Sequence, residues 1–143
     1  MLELIKKVNI EPAEKFNCTN LESGVFINDG TNHFTFKVFP DYAQCSRINT
    51  IVPFDLNNDG KTDLLLAGNF NGYANQFGRA DAMPVLILEN SGQGNFKPLL
   101  PEQTGLFLSG QVKKVFIDSV AAKKRLMVFR NNDYPKIFEF EKQ

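Results

Sequence analysis

Apolar and polar residues alternate over short distances along most of this chain, and Gly, Asn and Asp punctuate the runs. Phe34-Thr35-Phe36 and Phe138-Glu139-Phe140 repeat every second residue, the period of a strand with one face buried. The stretch Arg47-Ile48-Asn49-Thr50-Ile51-Val52-Pro53-Phe54 is rich in β-branched residues and reads as extended. Asp63-Leu64-Leu65-Leu66-Ala67-Gly68 is a short apolar run stopped by glycine, which predicts a buried strand rather than a helix. Val25-Phe26-Ile27, a Gly/Asn turn and Phe34 form one strand-turn-strand unit, and Val85 to Phe96 repeats it. A third, degraded copy runs through Lys114–Asp118, Arg125–Phe129, a turn at Asn131-Asn132-Asp133, and Lys136–Phe140. The pattern predicts an all-β chain with a half-sized sheet in residues 23–46, a four-stranded antiparallel sheet in 47–102 and a degenerate sheet in 103–143. Residues 1–22 read as a linker or a short amphipathic helix over Leu2–Val8.

The candidate chemistry sits between two of these strands. Asp55, Asn57, Asp59 and Asp63 bring side-chain oxygens at regular spacing, and Gly60 supplies the backbone freedom for the loop to reverse. Calcium and other hard cations favour six to eight oxygen ligands from such a loop, with the Lys61 carbonyl as a further donor and its side chain in water. An EF-hand is excluded: its twelfth position needs a bidentate Glu and is Leu66 here, and its flanking helices are missing from the pattern. The competing reading is an Asx-rich hairpin turn without metal. Aligning Asp118 with Asp55 places Val120, Ala122 and Leu126 at the other ligand positions, so the last repeat retains no second site.

Strand, D-x-N-x-D-G-x-x-D-L and an apolar strand ending Ala67-Gly68-Asn69 together resemble an FG-GAP or VCBS-type repeat. Pro53 through Asn69 is most similar to VCBS-repeat proteins of bacterial cell envelopes, although the usual Gly-Ala-Pro ending is Ala67-Gly68-Asn69. The resemblance implies β-propeller-like blades and calcium held by Asp55, Asn57, Asp59 and Asp63 side chains and the Lys61 carbonyl. It also implies an extracytoplasmic, enveloped or secreted placement. A closed propeller needs at least four blades. About two to two and a half blades therefore imply self-association or attachment to the remaining blades of a longer protein.

Sixteen basic and sixteen acidic residues balance, with no basic cluster that suits nucleic acid. No apolar run is long enough for a membrane helix, and Leu2–Val8 lacks the apolar core of a signal peptide. Cys18 and Cys45 are too few for a disulfide framework, and a bridge and two free thiols remain equal readings. His33, the sole histidine, falls in a turn, and no nucleophile elbow or phosphate loop appears, so an enzyme is not expected. The long segment 69–82 interleaves Phe70, Tyr73 and Phe77 with Asn, Gln and Arg79, residues suited to a glycan or a peptide. The alternative is that these aromatics pack back on the core while Arg79 and Asp81 pair locally. Two functions follow: a calcium-stiffened, non-enzymatic module that binds a glycan or protein, and a structural segment that completes a larger assembly.

Overall fold

A computed structural model describes residues 14–73, 76, 78–120 and 123–139. The expected N-terminal helix or linker over Leu2–Val8 lies outside the described residues, and residues 14–22 carry no regular structure. Among the described residues nine strands form three antiparallel sheets. β1 (Gly24–Asn28) and β2 (Phe34–Val38) make a two-stranded ribbon. β3 (Ile48–Phe54), β4 (Asp63–Gly68), β5 (Val85–Asn90) and β6 (Phe96–Leu99) make a four-stranded meander in chain order. β7 (Val112–Val120), β8 (Lys123–Arg130) and β9 (Lys136–Glu139) make the third, three-stranded sheet. A 3-10 turn, Asp41–Gln44, follows the ribbon, and a single helical turn, Pro101–Thr104, precedes β7.

The meander is the middle layer, and its sequence explains why. Leu65, Ala67, Val85 and Ile87 point to the third sheet and pack with Leu106, Val112, Val115, Leu126 and Val128. The intervening Leu66, Leu86 and Leu88 point the other way, against Phe39, Ala43, Met83 and Val25. Successive side chains of a strand face opposite ways, so a strand covered on both sides must be apolar at every position. The pairing Leu65↔Ile87 and Leu66↔Leu86 keeps both apolar sets in register. Phe39 meets Phe96 edge-on at 5.6 Å between centroids, fastening the first layer to the second.

The third sheet keeps the half-buried expectation in part, with Phe138 packed on the core, whereas the ribbon turns its Phe residues outward. Register places Phe26 opposite Phe36, Asn28 opposite Phe34 and Gly24 opposite Val38, so these apolar residues share the ribbon's outer face. Phe26 is 65% exposed and Phe34 55%. On the third sheet Phe116 pairs with Met127, and Met127 with Ile137, again on the outer face. Both outer surfaces therefore expose apolar side chains, set on the third sheet among Lys114, Asp118, Arg125 and Glu139.

The far end of the meander is closed by a buried asparagine. Asn69 takes the left-handed conformation (φ 75°) and is fully buried. Its amide donates to the Gly110 carbonyl (3.0 Å) and its side-chain oxygen accepts the Met83 N–H (2.9 Å). Beside it, a Cβ on Gly68 would stand 1.7 Å from the Arg47 carbonyl oxygen, so only glycine permits this approach. Asn49, at a bulge in β3, donates to the carbonyls of Asn69 (2.9 Å) and Val112 (2.7 Å), which couples the second and third sheets.

Leu65→Ala should cost about 2–5 kcal/mol in urea unfolding, the range for a truncated core leucine, whereas Ile137→Ala on the open outer face should stay within about 0.5 kcal/mol. Equal losses at the two positions would contradict the layer assignment.

Candidate metal centre

The acidic loop joins β3 to β4, and its shape is held by its own side chains. Asn58 (φ 58°) and Gly60 (φ 79°) take left-handed conformations that reverse the chain. The Asp59 N–H faces two acceptors, Asp55 Oδ1 at 3.2 Å and Asn57 Oδ1 at 3.1 Å. The Gly60 N–H donates to Asp55 Oδ2 (3.0 Å), and the Lys61 N–H donates to Asp59 Oδ1 (2.9 Å). Backbone donors thus turn three oxygen-bearing side chains inward over the loop. Each carboxylate or amide oxygen carries two lone pairs, so one backbone bond leaves capacity for another partner.

Lys61 corrects the expectation that its side chain lies free in water. Its Nζ stands 2.9 Å from Asp59 Oδ2, although both side chains remain partly exposed. Hydrogen bonding from Lys61, first from its ammonium and then from its backbone N–H, holds the Asp59 carboxyl below its ordinary value of 3.8. The same pair raises the Lys61 ammonium, with smaller help from the charges of Asp63 and Glu89. A carboxyl depressed on folding stabilises at pH above its unfolded value and loses that contribution as pH falls through the folded one. Solvent screening keeps the effect small.

Asp63 occupies a different environment. Its carboxylate is fully buried at the start of β4, where Oδ2 accepts the Leu56 N–H (2.9 Å) and Oδ1 the Asn90 N–H (2.7 Å). It ties the loop to the turn after β5. Asn90 answers with its side chain, which donates to the Thr62 carbonyl at 3.0 Å.

In chemistry the donor set fits a hard cation, because every candidate is an oxygen and the ammonium of Lys61 already stands in for a positive charge at Asp59. In geometry it is partly assembled. Asp55 and Asn57 share one N–H, Asp59 turns its second oxygen to Lys61, and Asp63 is engaged on both oxygens. Among the described residues no three His, Cys, Asp or Glu side chains gather closely enough to hold a metal ion. Two residues that the spacing could not disclose reach the loop from elsewhere. Glu89 Oε1 lies 3.5 Å from Asn57 Nδ2, and Lys124 of the third sheet donates to the Asp55 carbonyl at 3.1 Å. Register brings Glu89 beside Asp63, one step along the ladder from the Leu64↔Leu88 pair.

The second group of candidates is only partly brought together. Phe70 bridges Ala80 through backbone bonds of 2.7 and 3.0 Å, closing the base of the long segment. Its ring meets Tyr73 edge-on at 4.9 Å and lies under the Arg47 guanidinium at 5.1 Å. Tyr73 is 48% exposed. Phe77 lies outside the described residues, and Arg79 is exposed, with no ion pair to Asp81 among the described residues. His33 sits in an exposed turn with Nδ1 3.5 Å from Asp29. Cys18 and Cys45 are free and exposed, which decides between the two thiol readings.

Comparisons with protein-family models, with curated proteins and with solved structures find no match to this chain. The FG-GAP/VCBS resemblance accordingly rests on residues 53–69.

Asp63→Asn presents an amide NH2 to one of two backbone donors and leaves that buried N–H without an acceptor, a loss of about 1–3 kcal/mol by chemical denaturation without calcium. Unchanged stability would show that the carboxylate does not clamp the two turns.

Proposed function

We propose that this chain is a non-enzymatic structural module of FG-GAP/VCBS type, a run of propeller-like blades that completes a larger extracytoplasmic β-assembly and carries one calcium-binding hairpin. The observation that carries this reading is the presence of large exposed apolar side chains on both outer sheet faces. Phe26 and Phe34 on one side, and Phe116 (48%), Phe129 (40%) and Ile137 (63%) on the other, are exposed as core-type side chains without a covering layer. Scattered exposed apolar residues are ordinary, but contiguous ones on a flat sheet mark an interaction surface. Sheet size agrees: a two-stranded ribbon cannot cover a four-stranded face, and Ile51 on β3 is left 47% exposed. The balance of charge supports a protein or glycan partner over nucleic acid.

A second reading, recognition of a glycan or protein by the segment 69–82, draws on Tyr73, which Phe70 and Arg47 buttress while half of it stays exposed. Asp55, Asn57, Asp59 and Asp63 side chains and the Lys61 carbonyl would hold the calcium. What the cation supplies is neutralisation of carboxylates crowded into one turn.

The assembly reading is tested by sedimentation and by an apolar fluorescent dye. The chain should self-associate with rising concentration or bind the dye, and Phe116→Glu with Phe129→Glu should suppress both. A monomer that binds no dye would count against covered faces. Calcium should raise the melting temperature and chelator should lower it, by the equivalent of about 2.7 kcal/mol at a hundredfold excess over the dissociation constant. Asp55→Asn should abolish that response, and a response that survives the substitution would remove Asp55 from the ligand set.

A further inference from the structure

We propose that Cys18 and Cys45 are a redox-active pair, two thiols that close to an intrachain disulfide on exchange with a low-molecular-weight disulfide such as oxidised glutathione. Both are free and exposed in this structure. The pairing owes nothing to the calcium reading; the fold supplies it by bringing two distant stretches of chain together. Ser23, just before β1, is clasped by the Gln44 side chain. The Gln44 oxygen accepts the Ser23 N–H (2.8 Å), and its amide donates to the Ser23 carbonyl (2.8 Å). The Phe39 N–H donates to the same carbonyl at 2.9 Å, and Gly24 pairs with Val38 in the ribbon. Cys45 follows Gln44 directly, at the C-terminal end of the 3-10 turn.

Cys18 needs only a short arm to reach it. Thr19 to Glu22 separate Cys18 from Ser23, and an arm of that length spans up to about 17 Å when extended. A disulfide needs Cα atoms about 4.4–6.8 Å apart, so the arm closes by swinging within that reach. It is already turned back on itself, with the Cys18 thiol donating to the Asn20 carbonyl (3.1 Å) and the Glu22 N–H to Asn20 Oδ1 (2.8 Å). Residues 14–22 belong to no strand, and Phe16 and Leu21 are 82% and 89% exposed, so a swing breaks no ladder and gives up little apolar burial. The Cys45 thiol donates to the Asp41 carbonyl at 3.3 Å and stays open to solvent. One protein thiol, as its thiolate, attacks the small disulfide and expels one small thiol; the second attacks the mixed disulfide and expels the other. Two protein thiols and one small disulfide thus give one bridge and two small thiols. The bridge pins the arm to the 3-10 turn and fixes the path by which the chain enters β1. In the extracytoplasmic placement proposed above, such a bridge persists.

The test holds the full chain in buffers of reduced and oxidised glutathione, with and without urea, quenches by alkylation and weighs the species by mass spectrometry. In the unfolded chain 26 residues, 19 to 44, lie between the thiols. With Ser23 clasped to Gln44, the open path shortens to the arm and the clasp. Closure falls roughly as the −3/2 power of path length, so the effective concentration of one thiol at the other should be about tenfold higher in the folded chain than in urea. A value equal to or below that in urea would overturn the pairing. Glutathione adducts or disulfide-linked dimers as the main oxidised form of the folded chain would overturn it too. A protease that cuts after Glu22 should act several-fold more slowly on the bridged chain than on the reduced one, and an equal rate would show that the arm is not pinned.

Discussion

Burial of the β4–β5 pair on both of its faces is the constraint on which the remaining structure depends. Leu65, Leu66, Ile87 and Leu88 are essentially removed from water, and each is worth about 1.5–3 kcal/mol of hydrophobic stabilisation. Half of that set can be buried only if a layer lies above, and half only if a layer lies below. The ribbon and the third sheet are therefore required companions of the meander. The same requirement places the acidic hairpin at one end of the layer covered on both faces, since β4 begins at Asp63.

Asp63 shows how one residue can serve two roles. As a buried carboxylate it needs partners, and the backbone N–H groups of Leu56 and Asn90 supply them from two different turns. Those bonds hold the ends of the β3–β4 and β5–β6 hairpins together, whether or not the remaining lone pairs find a cation. The division of labour in the loop follows. Asp63 anchors it from below, Asp55 and Asn57 close it over a shared N–H, and Asp59 carries the charge that Lys61 balances.

Much of the strand pattern was legible because strand periodicity is a local property. The runs at 47–54 and 63–68 become β3 and β4, and Val85 and Phe96 begin β5 and β6. The spacing of Asp55, Asn57 and Asp59 was legible for the same reason, since side chains two residues apart in a tight loop converge without help from elsewhere. What was not legible depends on register. Glu89 reaches the loop because β4 and β5 pair as they do, and Lys124 reaches it because the third sheet packs where it does. The ion pair of Lys61 has no sequence signature, because a lysine two residues from an aspartate usually points to water. The long segment between β4 and β5 left two readings open in the sequence; Phe70 meets Tyr73 and Arg47, and packing of that kind follows from the fold around it.

The Phe residues of the outer strands carry a more general lesson. An alternating strand looks the same in sequence whether its apolar face meets its own chain or another one. Stacked repeats that end in solvent are capped by polar outer faces. Here the ribbon's outer face presents Phe26, Phe34, Phe36 and Val38 with no charged side chain among them. The third sheet's outer face mixes Phe116, Met127, Phe129 and Ile137 with Lys114, Asp118, Lys123, Arg125 and Glu139, and Glu139 pairs with both Lys123 and Arg125. The ribbon's face lacks the composition of a cap, and the third sheet's face is mixed, with an apolar centre among charged residues. That is why the assembly reading stands ahead of recognition by a single loop: it accounts for eight apolar side chains at once, where the loop accounts for one exposed tyrosine.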